Sequence, residues 1–150
     1  VQIPNRNIEI TSNIVEWRPS NYRFDFKGDT KLTRNFENES NLYITTNNIS
    51  FNSSNGFLSS DTKTMANSLT TKYTEEEYLT ADSLDGNINK GYIKLNNCKY
   101  VRPKKIISIS NICKINWSPD KENITNKVIT QAIQMFSDSQ FVESTIFIPK

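Results

Sequence analysis

Histidine is absent from this chain of 150 residues, and with it goes the only side chain whose unperturbed pKa lies in the physiological window. The commonest general base, triad partner and metal ligand are lost together. The four glycines, at 28, 56, 86 and 91, are too few and too scattered to cradle a phosphate, and no Gly-x-Ser-x-Gly elbow occurs. With only two cysteines, a standard four-ligand zinc site cannot be assembled. Glu75, Glu76 and Glu77 suit a helix start, and Asp82 and Asp85 read as turn residues, so no converging carboxylate pair is expected. No catalytic residue, cofactor or metal is expected, and the chain is read as non-enzymatic.

Two further absences bear on partners. The 18 basic and 16 acidic residues leave a net charge of +2 with neither sign gathered into a long run. The one basic patch, residues 102–105, is interrupted by Pro103. Nucleic acid normally calls for a clustered basic footprint, so none is expected as a partner. No apolar run approaches 18 residues and the N-terminus lacks the layout of a secretory signal, so no membrane association is expected either. Val1 fits a chain whose initiator Met has been removed, as it also fits a processed secreted chain.

What is present favours sheet. Eighteen Ile and 16 aromatics are bulky β-formers, while 20 Asn, 16 Ser and 14 Thr supply side chains that bond their own backbone in turns. A length of 150 residues suits one domain, residues 1–150, able to bury roughly 68–70% of its unfolded surface. The fold class expected is mainly β (α+β): an antiparallel sandwich or rolled sheet with one C-terminal amphipathic helix on the sheet and a final strand.

Residues 91–117 form the centre of that reading. Alternating runs broken by Asn96-Asn97, Pro103 and Ser110-Asn111 predict an antiparallel meander, because Asn tolerates the positive φ of tight hairpins. Cys98 and Cys113 would then lie on strands with another between them, about twice 4.8 Å apart. A disulfide needs Cα atoms within about 7 Å. Two free, buried thiols and a reducing compartment are therefore expected.

Earlier, residues 8–17 alternate with a shift near Asn13, and residues 22–27 place three aromatics on one face and Arg23, Asp25 and Lys27 on the other. Gly28-Asp29-Thr30 ends that strand, residues 31–34 form a short edge strand, and residues 42–51 predict a hairpin about Asn47-Asn48. Thr74 with Glu77 fits a capping box, predicting a short helix that carries Tyr78, Leu79 and Leu84. Residues 85–91 echo a calcium loop, but Lys90 stands where Gly is required, and a plain turn is the better reading. Ser118-Pro119-Asp120 has the chemistry of a helix start, and Ile124, Val128, Ala132 and Phe136 recur every four residues. A helix over residues 119–137 follows, then a strand over 141–148.

The polar excursion at residues 52–81 makes sense when it lies on a neighbour. Phe57, Leu58, Met65, Leu69 and Tyr73 are its candidate partner-contact residues. The function expected on these grounds is a small structural or assembly subunit of a phage or virus particle, such as a connector, tail or capsid-accessory component. It would be found in the virion or in the infected host's cytoplasm before assembly, with other protein subunits as partners in a homo-oligomer or larger assembly. The alternative is a secreted or surface β-sandwich that binds a glycan or a host protein.

Overall fold

Alternation of apolar and polar residues draws almost every described segment into strands, since period two buries one face of a pleated ribbon and wets the other. The computed structural model describes residues 1–3, 7–36, 39–67, 77–103, 106–117, 131–136 and 143–146. In order the strands are β1 (Gln2–Ile3), β2 (Ile8–Thr11), β3 (Ile14–Arg18), β4 (Arg23–Phe36), β5 (Glu39–Asn52), β6 (Phe57–Ser60) and β7 (Thr64–Asn67). Then come β8 (Tyr78–Ala81), β9 (Ser83–Asn87), β10 (Tyr92–Arg102), β11 (Ile106–Trp117), β12 (Gln131–Phe136) and β13 (Glu143–Ile146). A 3-10 turn, Pro19–Asn21, joins β3 to β4. All pairings are antiparallel, within one sheet.

That sheet has two tiers. β4, β5, β10 and β11 run through both; the short strands fill one tier each. The upper tier is ordered β3-β4-β5-β6-β9-β10-β11-β12, and the lower β1-β2-β4-β5-β7-β8-β10-β11-β13. Between the tiers lies a seam where the inward-facing parity of each long strand changes. In β5 the buried residues pass from Leu42, Ile44 and Thr46 to Ile49 and Phe51; in β10 they pass from Ile93 and Leu95 to Cys98. In β11 they pass from Ser108 and Ser110 to Cys113 and Ile115. The β4–β5 register slips between Lys27 and Thr30, where Gly28 and Asp29 have φ of +75° and +40°. The slip in β4 is a bulge, an inserted residue that keeps the same side of the sheet apolar, whereas β10 and β11 stay in register through their change of parity, from Asn96↔Ile112 to Cys98↔Ser110.

Both tiers feed one core, with Phe26, Ile49, Leu58, Leu84 and Ile93 from the upper and Ile10, Leu32, Ile44 and Leu79 from the lower. Gly86 on β9 permits a close approach to β10. A Cβ there would stand 2.6 Å from the Tyr92 carbonyl oxygen and 3.0 Å from Ile93 Cα.

Several expectations are corrected here. Antiparallel, mainly β architecture is observed, but the C-terminal amphipathic helix is not: its last residues form β12, paired residue by residue with β11 from Ile112↔Phe136 to Trp117↔Gln131. Residues 118–130, its expected start, lie outside the described residues. The hairpin expected about Asn47-Asn48 and the turns expected at Asn96-Asn97 and Ser110-Asn111 are not chain reversals; each pair lies within a continuous strand. The strand begun at residue 22 does not end at Gly28 but continues as β4 into the segment expected as a separate edge strand. The helix begun at Thr74 is replaced by β8 and β9, with residues 68–76 outside the described residues. Because β10 and β11 are direct neighbours with no strand between them, Cys98 and Cys113 have Cα atoms 6.0 Å apart and form a disulfide. The expectation of free thiols in a reducing compartment fails with the meander that supported it.

Candidate binding groove

The outward face of the upper tier carries a polar row set by strand register. Glu16 on β3 pairs Asp25 on β4, Asp25 pairs Ser50 on β5, and Ser50 pairs Ser59 on β6. Ser59 then pairs Asp85 on β9, Asp85 pairs Lys94 on β10, and Lys94 pairs Lys114 on β11. Directly paired residues of an antiparallel sheet lie on the same face, so seven strands contribute to one line of side chains. At its middle Ser50, Ser59 and the nearby Ser83 are short, whereas Arg23, Lys27, Asp85 and Asn96 around them are long. The result is a groove of about 700 Å³ whose rim includes Arg18, Arg23, Lys27, Asp61, Asp85 and Asn96.

Asp25 organises one end. Its side chain is 7% exposed although it faces outward. Arg23 Nε donates to Oδ1 at 2.7 Å, the Ser50 hydroxyl donates to the same oxygen at 2.7 Å, and Arg18 Nε lies 3.2 Å from Oδ2. Arg23 also donates to Ser50 Oγ at 2.9 Å. Glu16 accepts from Lys27 at 3.1 Å and lies 3.7 Å from Arg18. Burial works against ionisation of Asp25, but the Ser50 hydroxyl and the Arg23 and Arg18 guanidiniums together outweigh it and hold the carboxyl below its ordinary range. At the far wall Asn96 Nδ2 donates to Ser83 Oγ at 3.1 Å and to Asp85 Oδ2 at 3.4 Å.

The sign of the Asp25 effect is fixed by linkage. A depressed carboxyl contributes stability that is fully present above the unfolded-state value of about 3.9 and is lost as pH falls through the folded-state value. Asp25→Asn should therefore have a lower Tm than the parent at neutral pH, the gap closing as pH drops below about 4. Thermal melts across that range check this; a gap constant in pH would contradict it.

A second groove of about 700 Å³ lies on the lower tier beside the seam, with Lys31, Thr45, Lys63, Met65, Asp82 and Asn97 among its lining. Of the residues expected to touch a partner, Met65 is 40% exposed within this groove. Phe57 is 44% exposed on β6, whereas Leu58 beside it is in the core, opposite Phe51. Leu69 and Tyr73 lie outside the described residues. The sequence reading did not single out Asp25, Ser50 or Ser59. Its only trace of them was the charged face of β4, because their meeting depends on cross-strand register.

The inward side opens at the same edge. β3 is exposed along its whole length. Trp17, 45% exposed, stacks on Phe24 with ring centroids 4.2 Å apart, and Phe24 stacks in turn toward Phe26 and Phe51 at 6.2 and 6.4 Å. Val15 sits opposite Phe26, also inward and also exposed. The apolar side of the sheet is thus partly exposed at its β3 edge, where Trp17 and Val15 stand.

No family model matches the sequence, and no curated protein matches it. The fold has a counterpart among solved structures: LptH from Pseudomonas aeruginosa, described as the LptA homologous periplasmic component of the conserved lipopolysaccharide transport device. The two superpose with a TM-score of 0.64 at 8% identity, over 95% of this chain and 99% of that one. The expected phage or virion subunit, and the virion or infected-cytoplasm location with it, are corrected by this likeness, which is to a protein described as periplasmic. A non-enzymatic role and protein partners are compatible with the same finding. Among the described residues no helix is long and apolar enough to cross a membrane.

Proposed function

We propose that this chain is a non-enzymatic, periplasmic component of a device that moves a lipopolysaccharide-like glycolipid, working in contact with other protein subunits. The carrying observation is a sheet with one continuous apolar side that matches LptH over nearly the full length of both chains. Acyl chains need a lining with no unpaired backbone groups, and an antiparallel sheet whose peptide bonds are satisfied in-plane presents only side chains to its interior. The exposed Trp17, stacked on Phe24, offers such a chain an apolar contact at the β3 edge. The Cys98–Cys113 disulfide supports a location outside the reducing cytoplasm.

Site-specific photocrosslinking tests this. A benzophenone side chain in place of Val15 or Phe24 should give a light-dependent adduct with added lipopolysaccharide, while the same group in place of outward-facing Thr45 should give none. Equal labelling from Thr45, or no adduct from either inward position, would defeat the proposal.

A further inference from the structure

We infer that the outward groove of the upper tier is a binding site for an acidic oligosaccharide, with the Arg18–Arg23 pair gripping its carboxylate or phosphate and the serine-floored trough receiving its hydroxyls. This goes beyond the transport reading and stands without it, because the groove lies on the face opposite the apolar interior.

Three observations converge on it. The first is shape: Ser50, Ser59 and Ser83 lower the sheet surface between longer neighbours, leaving about 700 Å³ on a face that would otherwise be filled by side chains. The second is the arginine pair. Arg18 and Arg23 oppose each other across β3 and β4, and one nearly buried carboxylate, Asp25, accepts a hydrogen bond from Arg23 Nε and stands 3.2 Å from Arg18 Nε. Their side chains remain 53% and 45% exposed. Fixing guanidiniums before a ligand arrives removes much of the rotamer entropy that an exposed arginine loses on binding, and planar forks suit bidentate carboxylate or phosphate.

The third is charge. Arg18, Arg23 and Lys27 face Glu16 and Asp25 at this end, three cations against two carboxylates, so the positive charge is gathered at the head of the groove while Asp61 and Asp85 lie towards its other end. At the other end the trough offers Asn96, Asp61 and Asp85, amide and carboxylate groups suited to sugar hydroxyls. A solvated sheet face would show the same residue types, but it would not need a nearly buried aspartate paired with two arginines at the head of a trough.

The acidic saccharide could be a free glycan or the head of a glycolipid, and the experiment separates these. Nitrogen-15 spectra of the intact, oxidised protein are recorded with tetragalacturonate, with fully deacylated lipopolysaccharide, and with neutral maltotetraose. Either acidic probe should shift the Arg18 and Arg23 Nε–H signals and the Asn96 side-chain amide, and the tighter of the two names the source. Arg23→Lys keeps the charge but loses the fork, and should weaken binding about tenfold; Ser59→Tyr fills the trough and should abolish it. Raising salt from about 50 to 500 mM should weaken binding in parallel. The inference is overturned if neither acidic probe shifts these signals, if maltotetraose binds equally well, or if folded Ser59→Tyr protein binds unchanged. None of these outcomes depends on lipid transport, since no probe carries an acyl chain.

Discussion

Truncating Phe26 to alanine is expected to destabilise the fold by about 3–5 kcal/mol. Phe26 is wholly buried, with Ile49 opposite it on β5 and Val15 opposite it on β3. It sits two residues before Gly28, so it is the last inward residue of the upper tier before the β4 bulge. Removing it takes apolar surface from the place where the two tiers join, and the surrounding backbone, fixed on both sides by strand pairing, has little freedom to collapse into the void. Lys27, the next residue, points outward and is half-exposed; Lys27→Ala should change stability by no more than about 0.5 kcal/mol. Urea unfolding of the two variants checks the contrast, with a lowered midpoint and an unchanged m-value for Phe26→Ala. A loss below about 1 kcal/mol would mean that the centre of the core lies elsewhere.

Alternation was legible because it is a local property. Phe24-Asp25-Phe26-Lys27 carries its period in four residues, and β4 follows it. Turn chemistry was legible too, but its use was not. Asn97 has φ of +52° and Asp29 of +40°, as residues read as turn-formers should, yet tolerance of positive φ serves an irregularity inside a continuous strand as readily as a hairpin. Nothing within Leu95-Asn96-Asn97-Cys98 tells whether the chain reverses or runs on; that depends on whether a neighbouring strand extends past the same level, and β11 does. The C-terminal helix failed for an arithmetical reason. Residues four apart share a face of a helix, but four is also an even number, so Ala132 and Phe136 share a face of a strand as well. The groove was out of reach because Asp25, Ser50, Ser59 and Asp85 are neighbours only through the registers of β4, β5, β6 and β9.

Reduction of the Cys98–Cys113 bond is expected to cost about 3 kcal/mol on the chain-entropy account, for a sequence separation of 15 residues. The bond joins β10 to β11 at the seam, where Asn97 and Asn111 break the alternation of both strands at one level. Both sulfurs lie in the core against the Ser110 hydroxyl, at 3.1 and 3.4 Å. β10 and β11 pair over their whole length, so the folded state should survive reduction and the effect should be read in stability rather than in shape. Urea unfolding with and without reductant, beside the Cys98→Ala/Cys113→Ala double variant, measures it: reduced parent and double variant should both unfold at lower urea than the oxidised chain. An unchanged midpoint on reduction would show that backbone pairing alone fixes the seam. Such a result would also remove the support the disulfide gives to a periplasmic setting, because a chain indifferent to the bond gains nothing from an oxidising compartment. A loss of the expected size ties the marginal stability of a fold of this length to the compartment in which the bond persists.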